Sequence, residues 1–200
     1  MNGTTVDQSG ARAEGGDIVA GDKHTSNHTT YVLPSLKADP TNSYPALERW
    51  IEQLRAACEA DATINHHVRN IEYFTRKRAS VDGVDGLVSK LTAGNRLSHI
   101  QDAIEQKVYF EKLLEEWSYY ASAQEIFAYL LAKVQRGFQL TATPYIGVMS
   151  EADIDRMVDA QVLNPIVDEC AKIPQFDVNL NIALGMLYWL ADQCFLRWHK

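Results

Sequence analysis

The chain has 200 residues, 46% apolar and 22% charged, and its 19 Lys and Arg against 26 Asp and Glu leave a net charge of −7. That balance suits one globular domain with a tail, and it argues against a dedicated nucleic-acid-binding domain, which carries a basic field. Three widely spaced cysteines, Cys58, Cys170 and Cys194, form no C-x-x-C or C-x-x-H pair, so reduced thiols in a cytoplasmic protein are expected rather than a zinc site.

No basic and apolar signal-peptide pattern opens the chain. The longest apolar run, within "IALGMLYWLA", is far short of the ~20 residues that span a bilayer. Residues 1–43 differ in composition from the rest. "MNGTTVDQSGARAEGG" has almost nothing to bury, and "HTSNHTTYVLPSLKADPTNS" reads as a linker with turn residues and two prolines. Between them stands "GGDIVAGDK". It fails as a phosphate loop, because Asp22 separates glycine from lysine and His24 replaces Ser or Thr. It fails as a calcium loop for want of alternating oxygen ligands. His24 and His28 have H-x-x-x-H spacing but no further ligand nearby. A short β-strand fits best, with Ile18, Ala20 and Asp22 on one side and Asp17, Val19 and Gly21 on the other. A lone strand needs a partner edge, so Asp17, Ile18, Val19, Ala20, Gly21 and Asp22 are candidates for partner docking or self-association into a homo-oligomer.

Residues 44–200 read as an all-α multi-helix bundle. Leu47, Trp50, Ile51, Leu54, Ala57 and Cys58 fall at amphipathic-helix spacing, with Pro45 in the first turn. Residues 64–79 suit either a helix or an extended segment. "DGVDGLVSKLTAGN" predicts a short helix closed by Gly94 in a left-handed cap. A long helix over about 97–117 should bury Leu97, Ile100, Ala103, Ile104, Val108, Leu113, Leu114 and Trp117. A second over about 122–138 should pair with it antiparallel. Ser150 and Asp153 resemble a capping box ahead of a helix that Pro165 should kink or split. The last helix, about 178–191, is apolar nearly all round and should be central.

Chemistry-bearing patterns are sparse. Arg69, Arg76, Lys77 and Arg78, beside His66 and His67, form the one basic cluster; it is either a nucleic-acid contact or a solvated helix face. Glu111, Glu115 and Glu116 share one helix, and His99 has no evident nucleophile beside it. No catalytic, metal or cofactor residues are assigned, and a non-enzymatic interaction module is expected.

Four stretches carry a resemblance: "GLVSKLTAGNRLSHIQDAIEQKVYFEKLL", "SAQEIFAYLLAKVQRGF", "VLNPIVDE" and "LNIALGMLYWLADQCFLRW". Over about residues 64–198 the chain resembles the C-terminal domains of ABC-three-component systems, bacterial anti-phage and anti-plasmid defence assemblies of the Lamassu type. Their ending reads G-M-x-Y-x-L-T-G-x-C-H-x-x-W. Gly185, Met186, Tyr188, Leu190, Cys194 and Trp198 agree with it, whereas Ala191 and Asp192 replace Thr-Gly and Phe195 replaces His. The resemblance implies a docking subunit that joins an SMC-like or ABC-type ATPase to an effector or middle component. The competing expectation is a small DNA-binding or regulatory homo-oligomeric helical protein using the Arg69–Arg78 cluster.

Overall fold

A computed structural model of the chain describes residues 45–60 and 69–200. Among these residues the structure is helical, with no strand. The segment 69–78, ambiguous in sequence, opens as a helix. The elements are α1 (Pro45–Glu59), α2 (Arg69–Thr75), α3 (Leu87–Ala93), α4 (Ile100–Glu116), α5 (Ala121–Thr141), α6 (Glu151–Val158), α7 (Asn164–Cys170) and α8 (Leu180–Asp192). A 3-10 turn, Leu97–His99, leads into α4, and another, Thr143–Tyr145, follows α5.

The helix ends follow local chemistry. Ser150 Oγ accepts from the Asp153 amide at 3.2 Å and donates to Asp153 Oδ2 at 2.6 Å, which closes the cap of α6. Asn179 Oδ1 accepts from the Ile182 amide at 3.2 Å and starts α8. Between α6 and α7 the backbone widens into a π turn, Asp159–Leu163. Pro165 sits just beyond it. Proline lacks an amide and its ring crowds the preceding turn, so the helix absorbs it as a bulge between two α segments.

The α8 helix is the centre. From Ile182 to Ala191 every residue but Leu184 is buried. Helix α4 lies along it, and α3, α5 and α7 also touch it, while α1 and α2 pack on α5. A ring chain ties the layers together. Phe110 meets Phe127 at 6.0 Å and Trp189 at 5.9 Å, and Phe127 stacks on Phe176 at 4.6 Å.

Two sequence expectations are corrected. Helix α4 takes α8, not α5, as its main partner. The reason is Gly185: a Cβ there would run into the Gln106 carbonyl and lie 2.9 Å from Phe110 Cβ, so only glycine admits so close a crossing. That crossing turns Ala103 and Phe110 inward and leaves Leu97 (61% exposed), Ile104 (36%) and Val108 (38%) facing outward. Gly94 is not left-handed; its φ is −85°, and Asn95 takes the positive φ of 60°. Gly94 is glycine for space, because the carbonyl of Trp198 passes directly against it.

Candidate functional site

Helix α2 is short and held by two side chains. Ile71 and Phe74, three residues apart, are buried against α5, while Asn70 Nδ2 donates to Glu125 Oε2 at 2.6 Å. This leaves Arg69, Tyr73 and Arg76 exposed. Beyond the helix the chain is tied to the turn after α8, where the Arg78 amide donates to the Gln193 carbonyl at 3.1 Å. The Arg78 guanidinium lies 3.9 Å from the centre of the Phe195 ring and 4.8 Å from that of Tyr73. Lys77 Nζ pairs with Asp85 Oδ1 at 3.1 Å, and that hydrogen bond raises the lysine pKa and lowers the aspartate's. Arg76 meets Glu72 at 3.8 Å, one turn back.

Arg69, Glu72, Tyr73, Arg76, Lys77 and Arg78 line a hollow of about 550 Å³. A neighbouring hollow of about 530 Å³ shares Arg69 and Tyr73 with it and is walled by Trp50, Phe74, Ala128, Tyr129 and Ala132. The two meet at Arg69 and Tyr73 and together make a groove, mostly apolar and aromatic at one end, where Glu125 and Asn70 also line it, and cationic at the other. Its walls come from α1, α2 and α5.

A second cluster closes the C-terminal end of α8. Lys90, 1% exposed, donates to the Ala191 carbonyl, and Lys107 pairs with Asp192 Oδ2 at 3.0 Å. Both ammonium groups thus sit at the negative end of the helix. Burial weighs against the charge of Lys107, but Asp192 and Glu111 prevail and raise its pKa. Asp192 Oδ1 also accepts from the Leu87 amide at 2.9 Å, joining α3 to α8. Cys194 turns the chain with a φ of 63°. Trp198 then docks edge-on to Phe138 at 4.7 Å, with the buried Arg96 4.2 Å from its ring centre and paired to Asp155. Asp82 gathers Ser80, the Val84 amide, Arg197 and His199. Hydrogen bonds from Ser80 and Val84 lead in holding its pKa well below the usual carboxylate range.

These contacts give physical content to the sequence pattern at the chain's end. Gly185 and Trp198 are fitted by close packing, Cys194 by the turn, and Asp192 by polar ties that join α8 to α3 through Leu87 and to α4 through Lys107. The structure brings Arg69, Arg76, Lys77 and Arg78 around one hollow. Tyr73 is 53% exposed and forms part of its wall. Sequence reasoning missed Trp50 and Tyr129 as groove residues, because they reach it from α1 and α5. Asp17, Ile18, Val19, Ala20, Gly21 and Asp22 lie outside the described residues, as do His66 and His67. Among the described residues no group of three or more His, Cys, Asp and Glu is placed to hold a metal ion, and no helix is long and apolar enough to cross a membrane.

Residues 86–198, running from the start of α3 through the docked Trp198, match the family described as C-terminal domain 9 of the ABC-three component (ABC-3C) systems. The chain belongs to this family. No curated protein and no solved structure matches it. The groove built on α1 and α2 lies largely outside the matched residues, while the α8 cluster lies within them.

Proposed function

We propose that the chain is a non-catalytic assembly subunit of a bacterial anti-phage or anti-plasmid defence complex of the Lamassu type, working in the cytoplasm. It docks onto an SMC-like or ABC-type ATPase and an effector or middle component. The observation that carries this reading is membership of the ABC-3C domain family over residues 86–198. The outward face of α4 supports it. Leu97, Ile104 and Val108 fall at helical spacing and stay exposed, and the same face continues into Glu111 and Glu115. An apolar stripe running into carboxylates fits a partner helix whose own apolar face is bordered by Lys or Arg.

The experiment is affinity purification of the tagged chain expressed together with its neighbouring operon components. The ATPase component is expected to co-elute with it through a moderate-salt wash. Recovery of the tagged chain by itself, with the ATPase present and soluble in the lysate, overturns the reading.

A further inference from the structure

The groove walled by α1, α2 and α5 has chemistry that the assembly reading does not use. At its apolar end Ala128 and Ala132, one turn apart on α5, line the hollow of about 530 Å³ together with Trp50, Tyr129 and Phe74. Small residues among rings leave room for an apolar side chain to enter. Glu125, whose Oε2 accepts from Asn70 Nδ2 at 2.6 Å, lines the same end and repels a carboxylate there.

The cations of the other end are not equally free. Lys77 is paired with Asp85 at 3.1 Å, and the Arg78 guanidinium lies over the rings of Phe195 and Tyr73. Arg76 meets only Glu72, at 3.8 Å, with its side chain 82% exposed. Arg69 forms no ion pair among the described residues. It lines both hollows, and Arg76 follows it on the cationic side. The complement of this order is an apolar side chain for the alanine-lined end and carboxylates beside it for the two arginines. We propose that the groove docks a segment of a partner protein in which a large apolar side chain stands next to carboxylates.

Single-stranded nucleic acid also pairs cations with aromatic rings, but each stacked base needs a free ring face. The Tyr73 ring is already met by Phe74 at 4.9 Å, Phe195 at 5.5 Å and Arg78 at 4.8 Å. Glu72 and Glu125 would stand against the phosphates, on a chain whose net charge is −7.

The test uses the full-length chain by itself, so its outcome is separate from co-purification with the ATPase. Fluorescence anisotropy compares three labelled probes: a peptide with a Leu-Trp pair followed by a run of Glu, the same peptide with Lys for Glu, and single-stranded oligothymidylate. The acidic peptide is expected to bind roughly tenfold or more tighter than either of the others. Arg69→Glu with Arg76→Glu should weaken it by roughly tenfold. Ala132→Trp, at an exposed position, fills the apolar end and should weaken it by about as much without touching a charge. Melting temperatures that match the parent's keep a folding defect from imitating either loss. No binding of the acidic peptide, equal binding of the lysine peptide, or indifference to either set of substitutions overturns the proposal. So does tighter binding of the oligonucleotide, which would assign the groove to nucleic acid. A parent chain that self-associates and turns monomeric with the two arginine substitutions also overturns it, since a second copy would then be the occupant.

Discussion

The carbonyl of Trp198 lies 2.5 Å from where a Cβ on Gly94 would sit. Residues 96 and 138 hold that tryptophan from its other sides, so the carbonyl has little room to retreat. Gly94→Ala is therefore expected to lower stability by about 1–3 kcal/mol through overpacking. Gly185→Ala should cost at least as much, since its Cβ meets the backbone of α4. Chemical denaturation of both variants checks this; melts that coincide with the parent would refute the close crossing of α4 on α8.

Lys90 tests the C-terminal cap of α8. Replacing it with Met keeps the length of the side chain but removes the buried, charged donor to the Ala191 carbonyl, which keeps the Cys194 amide at 3.1 Å. The expected loss is about 1–3 kcal/mol. Lys107→Met should cost less, under about 1 kcal/mol, because its pair with Asp192 is partly in water. Urea midpoints at unchanged m-value measure both.

Acid should loosen the loops before it melts the core. Asp82, Asp85 and Asp153 have depressed pKa values, held down first by Ser80, Lys77 and Ser150 respectively. A carboxylate whose folded pKa lies below its unfolded value contributes stability above about pH 4, and that contribution is lost as pH falls through the folded value. Asp159 has the opposite sign: burial and the charge of Asp155 raise its pKa. Asp159→Asn is thus expected to raise the melting temperature slightly at pH 7 and to lose that advantage as pH drops through the raised value. Asp82→Asn should flatten the acid limb of the parent's profile. Melting temperatures from pH 7 to pH 2.5 decide both.

The cap of α6 gives a smaller and cleaner number. Ser150→Ala removes the hydroxyl that accepts from the Asp153 amide, and a loss of about 1 kcal/mol is expected. Ser150→Gly should cost only a few tenths. Equal losses in the two variants would mean that the hydroxyl is not the cap.

What the sequence made legible was local. Periodicity placed α5 and α8, Ser150 marked the start of α6, and Pro165 marked the break before α7. The rotation of α4 was legible in part. Ile100, Ala103, Leu113, Leu114 and Trp117 lie in or against the core as their spacing suggests, but Leu97, Ile104 and Val108 face outward and Phe110 turns in, because the contact between Gly185 and the α4 backbone decides which face is buried. The basic run from Arg69 to Arg78 was visible as a run. Its union with Trp50 and Tyr129 was not, because three separate helices supply the walls and periodicity along one helix carries no record of another. Phe195 makes the same point: its contact with Arg78 joins positions far apart in the chain.

Under the proposed function, the outward face of α4 is the surface expected to meet the ATPase component. Native mass spectrometry of the two proteins expressed together measures it directly. The account predicts a species containing both, reduced at least tenfold by Ile104→Glu with Val108→Glu in a chain whose melting temperature is kept. A spectrum showing the parent chain only by itself, or a joint species untouched by the double substitution, would contradict it.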